Sequence, residues 1–147
     1  MEPKVNFITL AVTDMEQSLA FYRDGLGLQT KGVIGNEFTD NATGASGTII
    51  FFEMLGGSLL LGLYGRADLA KDAGIDLSPP SSVEFSLGHA VNSKEEVDAL
   101  LARVQTIGAT MLEPAHTRPW GVYSGYFKDP DGHLWEIAWN PPVQTLR

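Results

Sequence analysis

Two alternating apolar runs in this chain each lead directly into a helix-capping signal, and that doubled pattern limits the possible folds more than any other feature. Val5 to Val12 alternates and is rich in β-formers, so it reads as a strand. Asp14 follows as an N-cap, with Gln17 three residues on to complete a capping box. Met15, Leu19, Tyr22 and Leu26 recur at helical spacing, and Gly25 and Gly27 mark the helix end. Three strands are expected next, over Leu28–Ile34, Thr48–Met54 and Ser58–Tyr64, the last two turned by Gly56-Gly57. Thr39–Gly47 lacks the spacing and lysine of a phosphate cradle and reads as a loop.

The second half repeats this order. Val83–Val91 reads as a strand, and Ser93 with Glu96 forms another capping box. Val97, Leu100, Leu101, Val104 and Ile107 give an apolar stripe that Gly108 stops. Strands over Ala109–Pro114, Val122–Lys128 and His133–Asn140 complete the unit. The expectation is an α+β fold of two tandem βαβββ modules, 1–66 and 83–147, within one domain. A Pro/Ser-containing linker is expected over 67–82.

The last two strands flank a tight Asp129-Pro-Asp-Gly132 turn, in which proline presets φ and glycine accepts a positive one. Beyond it Leu134, Glu136 and Ala138 alternate with Trp135, Ile137 and Trp139, so one face is apolar and the other carries an acid. A carboxylate facing a sheet interior is costly unless it is paired, hydrated or used.

Composition removes several classes. The chain has 147 residues and a formal net charge of −8, which argues against nucleic acid and against an anionic membrane surface. No cysteine is present, so disulfides, zinc–thiolate sites and thiol nucleophiles are excluded. The apolar runs Ile49–Phe52 and Leu59–Leu61 are too short to span a bilayer. The segment Met1-Glu-Pro-Lys-Val-Asn-Phe7 lacks signal-peptide character, so a cytoplasmic location is expected.

The doubled pattern resembles the vicinal-oxygen-chelate superfamily, which includes glyoxalase I, extradiol dioxygenases, fosfomycin-resistance enzymes and bleomycin-resistance proteins. The likeness is carried by Ile8-Thr-Leu-Ala-Val-Thr-Asp14, by Phe21-Tyr22 with Leu26-Gly27-Leu28, and by Phe127-Lys-Asp-Pro-Asp-Gly-His-Leu-Trp-Glu136. The resemblance implies an open eight-stranded β-cup with helices on its outer face, commonly in a homodimer. Metal-using members place His or Glu on the first and last strands of each module. Here those positions fall at Phe7, Gly62, Ser86 and Glu136, so one donor matches. A catalytic divalent site needs about three protein ligands, and no metal or other cofactor is expected.

The three histidines divide by context. His89 shares the parity of Leu87 and Val91 and reads as a partly buried, hydrogen-bonded helix-side residue. His116, before Thr-Arg-Pro-Trp120, reads as a loop residue that either touches ligand or is simply exposed. His133 follows the tight turn and is expected to orient or solvate it. Asp129 and Asp131 lack the further oxygen ligands of an EF-hand and read as turn formers. No Gly-x-Ser-x-Gly elbow is present.

Glu136 reads as a ligand anchor, as a satisfied structural acid, or as a general base. By parity Phe7, Thr9 and Ala11 share its face, as do Leu60, Gly62 and Tyr64. Ser86, Gly88 and Ala90 supply the corresponding row, Ser124 and Tyr126 face inward, and Trp120 closes the rim. Such a wall suits a flat, aromatic or cationic organic molecule. Sequestration of that molecule, as in the bleomycin-resistance type, is the expected function. A lyase, isomerase or dioxygenase using Glu136 as metal ligand or base is the alternative.

Overall fold

Residues 1–141 are described by a computed structural model. The end of the expected second module, 142–147, lies outside that range. The chain divides at Pro79 and Pro80 into two compact units, each with one mixed sheet.

The first unit contains β1 (Phe7–Val12), α1 (Met15–Leu19), β2 (Thr30–Ile34), β3 (Ile49–Met54), β4 (Leu59–Gly65) and α2 (Arg66–Ala73). Its strand order is β1-β4-β3-β2, with β1 parallel to β4 and the rest antiparallel. The period-2 pattern sends Leu10, Val12, Ile50, Phe52, Leu61 and Leu63 to one buried face. Thr9, Phe51 and Gly62 stand on the other.

Asp14 caps α1 as the pattern requires, its Oδ1 accepting from the Gln17 amide at 3.1 Å. The helix does not stay α-helical. Ala20–Gly25 is a π-helical segment, closed by a bond from the Leu26 amide to the Phe21 carbonyl at 2.9 Å. The wider turn accompanies burial of two consecutive aromatics, Phe21 and Tyr22, whose rings meet edge to face at 5.0 Å. Met15 and Leu26, expected in the stripe, are only half-buried, and Phe21 joins the core instead.

The stretch expected to be linker begins with α2. The helix ends on Gly74 in the left-handed conformation. Arg66 reaches from it to the Ala11 carbonyl at 3.1 Å, and the Asp68 carboxylate accepts from the Ser46 amide at 3.0 Å. Only Ala70 is fully buried, so the apolar stripe that reveals a helix in a sequence is weak here.

The second unit contains β5 (Ser86–Ala90), α3 (Lys94–Thr106), β6 (Thr110–Met111), β7 (His116–Thr117), β8 (Tyr123–Lys128) and β9 (Leu134–Trp139). Its order is β5-β9-β8-β6, with β7 also pairing β8. Five strands replace the expected four, because Ala109–Pro114 makes only the two-residue β6. His116 therefore lies on a short edge strand and not in a loop.

Ser93 caps α3 through its Oγ at 3.1 Å from the Glu96 amide, and Glu96 returns a bond to the Asn92 amide. Val97, Leu101 and Val104 are buried on the face that meets β8 and β9. Phe127 and Trp135, directly opposite across the β8–β9 ladder, lie parallel at 6.2 Å in that layer. Gly125 lets the helix approach: a Cβ there would stand 2.7 Å from Leu101 Cδ1. His89 has the expected helix-side parity opposite Ile137, yet it is exposed on edge strand β5 and not partly buried.

The β8–β9 turn is held by a buried acid. Asp129, 1% exposed, accepts from the Asp131 and His133 amides at 2.9 and 2.8 Å through Oδ1. Its Oδ2 meets His133 Nδ1 at 2.7 Å, so His133 orients the turn. Gly132 closes the turn with φ 90° and a 3.0 Å bond to the Asp129 carbonyl. Replacing Asp129 by Ala leaves these donors unpaired in a buried place. It should cost about 3 kcal/mol of stability, read as a lower urea midpoint; an unchanged midpoint would contradict the role given to this acid.

Candidate functional site

The ladder opposite α3 sets the polar face of the second unit. Tyr126 pairs with Glu136 and Ser124 with Ala138 across β8–β9, and Gly88 lies beside Glu136 on β5. With Phe127, Trp135 and Ile137 committed to the helix side, Ser124, Tyr126, Leu134 and Glu136 take the other. A concavity of about 480 Å3 opens on this face, lined by Phe85, Ser86, Leu112, Arg118, Tyr126 and Leu134, with Val83 and Glu113 completing its wall.

Arg118 organises the polar edge. Its Nε donates to Ser124 Oγ and its Nη2 to the Ser124 carbonyl, both at 3.1 Å. Nη1 meets His116 Nε2 at 3.1 Å. Arginine has only donors, so His116 accepts there and carries its proton on Nδ1, 3.4 Å from the Pro114 carbonyl. The guanidinium also sits 5.7 Å from the centroid of the Tyr126 ring. Burial pushes the Tyr126 phenol above its ordinary range, the charge and hydrogen bond of Glu136 push it further, and Arg118 opposes them.

The expected site residues separate by unit. In the second, Ser86 and Tyr126 line the concavity, Ser124 is buried beneath Arg118, and Glu136 touches Tyr126 at its side. Trp120 is 75% exposed and does not line the concavity. In the first, Phe7, Thr9 and Tyr64 border a separate hollow of about 360 Å3 together with Leu69 and Asp72 of α2. The Tyr64 hydroxyl donates to the Ser46 carbonyl, and burial raises its pKa first, followed by Asp72, Asp68 and Asp40. Leu60 borders a third hollow of about 400 Å3 beside Phe51.

Gly62 lies under the Phe51 ring, where a Cβ would stand 3.2 Å from Phe51 Cε1. The position at which metal-using relatives are expected to carry a ligand is thus covered by an aromatic ring. Among the described residues no three His, Cys, Asp or Glu side chains are grouped to hold a metal ion. The donor set does not fit a divalent centre.

Arg118 is the residue that sequence reasoning missed. Its signal was present: Arg118-Pro-Trp-Gly121 repeats the x-Pro-x-Gly layout of Asp129-Pro-Asp-Gly132. It closes the same way, by a 2.8 Å bond from Gly121 to the Arg118 carbonyl with Gly121 at φ 100°. Reading it as a second hairpin turn places Arg118 and His116 on the face of Ser124.

Comparison with known proteins settles the family. The model of the Glyoxalase/Bleomycin resistance protein/Dioxygenase superfamily matches residues 4–137. The chain belongs to this superfamily. A glyoxalase-related enzyme from Fulvimarina pelagi is 35% identical over 95% of this chain and 89% of that one, with a TM-score of 0.75. Lactoylglutathione lyase from Agrobacterium tumefaciens is 24% identical, covering 95% of each chain at a TM-score of 0.63. The fosfomycin resistance protein FosX from Listeria monocytogenes is 22% identical over 97% of this chain and 98% of that one, at 0.68. These last two likenesses show the fold, which is the superfamily's mixed α+β arrangement. Among the described residues no helix is long and apolar enough to cross a membrane.

The electrostatics of Tyr126 are directly testable. Glu136→Gln removes a negative neighbour and should move the Tyr126 titration down toward the ordinary tyrosine range. Arg118→Gln should move it up. Carbon-13 NMR of labelled tyrosine over an alkaline pH series reads both, and shifts of the opposite signs would contradict the geometry described.

Proposed function

We propose that this protein binds a small, partly aromatic organic molecule on the concave face of its second unit, without a metal ion. One observation carries the reading. A concavity of about 480 Å3 has a mainly apolar wall and a few convergent polar groups, and the two acids near it, Glu113 on the wall and Glu136 beside Tyr126, belong to no group of three metal donors among the described residues. Glu136 anchors a hydrogen-bond donor or cationic group of the ligand, Tyr126 and Phe85 meet its flat body, and Ser86 contributes a hydroxyl. Its action on that molecule is sequestration in the manner of the bleomycin-resistance type, by a homodimer as the family resemblance implies, in the cytoplasm.

A second reading is favoured by the 35% identity to a glyoxalase-related enzyme. In it Glu136, hydrogen-bonded to Tyr126, acts as a general base on a bound substrate.

Purified protein dialysed against chelator should keep its melting temperature and its response to a compound screen. A near-stoichiometric divalent metal surviving dialysis would overturn the proposal. Glu136→Gln should weaken a hit bearing a donor or cation by roughly tenfold or more, the worth of one charge-assisted hydrogen bond. Binding retained with turnover lost would favour the enzyme instead, and a broad screen without any thermal shift would remove the small-molecule reading.

A further inference from the structure

Arg118 is a half-buried cation with no ion pair among the described residues. Its guanidinium has five N–H donors, three of which are used on Ser124 Oγ, the Ser124 carbonyl and His116 Nε2, so two remain. Those two belong to Nη1 and Nη2, one each. Every partner that fixes the group is neutral. Glu113 shares the wall of the concavity but makes no ion pair with Arg118, and Glu136 spends its contact on Tyr126.

A charge withdrawn from water and left without a counter-ion is costly. An arginine that is also held rigidly, by Ser124 on one edge and the Tyr126 ring at 5.7 Å, has already lost the rotamer freedom that binding would otherwise remove. Leu112, Leu134 and Phe85 put apolar surface on the wall that Arg118 shares with Ser86 and Glu113.

From this arrangement we infer that the ligand of the second-unit concavity carries an organic oxyanion, a carboxylate or phosphonate on an apolar body, which the two remaining Arg118 N–H groups receive. The inference rests on the site proposed above and adds the class of group that site selects. Arg118 acts as the receptor for this anion, and the His116–Arg118–Ser124 bonds position it.

The test uses benzoate, phenylphosphonate, benzamide and benzylamine as probes on the full chain, followed by two-dimensional 1H–15N NMR at the Arg118 Nε–H and the Ser86, Tyr126 and Leu134 amides. Benzoate or phenylphosphonate should bind at least about tenfold more tightly than benzamide, as a charge-assisted pair does over a neutral one. The ratio between the two anions tells carboxylate from phosphonate. Arg118→Gln should erase the preference for anions, and Arg118→Lys, which keeps charge without the fork, should retain part of it. If benzamide and benzylamine bind as well as benzoate, and Arg118→Lys leaves the benzoate constant unchanged, the anion receptor is overturned while the site stands. If no probe shifts any of these resonances, the proposed site falls and takes the inference with it.

Discussion

The bond between buried Asp129 and His133 is the constraint on which the second unit depends. It fixes where β8 ends and β9 begins, and therefore which residue faces which across the ladder. In a period-2 structure a slip of one residue would send Phe127 and Trp135 to the solvent face and Tyr126 and Glu136 into the helix layer. A carboxylate that accepts two amides and an imidazole makes that slip expensive. The same turn thus secures the core and the polar face at once.

Much of this architecture was legible in the chain. Strands with alternating residues and helices with capping pairs leave periodic marks, so β1, β3, β4, β8 and β9 and the starts of α1 and α3 fell where the pattern put them. Elements without such marks were missed. Helix α2 buries one residue fully, Ala70, and sits beside a Pro/Ser-rich stretch that reads as linker. The π-helical segment, which accompanies the burial of Phe21 and Tyr22, leaves no periodic mark.

The polar face was legible only in part. Tyr126, Ser124 and Glu136 follow from strand parity, which is local information. Arg118 needs one further step, reading Arg118-Pro-Trp-Gly121 as a second hairpin turn that folds back onto β8, and only the fold then displays its contacts with Ser124 and Tyr126. His116 was misplaced for the same reason. Superfamily membership supplies the scaffold, yet fold does not determine chemistry. On that point a ring over Gly62 and a serine at position 86 stand at positions where the family resemblance implies His or Glu in metal-using members.

The wide turn at Ala20–Gly25 bears on how the first unit tolerates changes in chain length. A π-helical turn already accommodates one residue more than the α-helical ladder needs. Deleting a residue there can tighten the turn to regular α-geometry while the residues on either side keep their phase. The same deletion within Lys94–Thr106 would rotate everything beyond it by about 100° and carry Val104 off the sheet. Slack of this kind makes the first helix the more forgiving of the two when the chain gains or loses a residue.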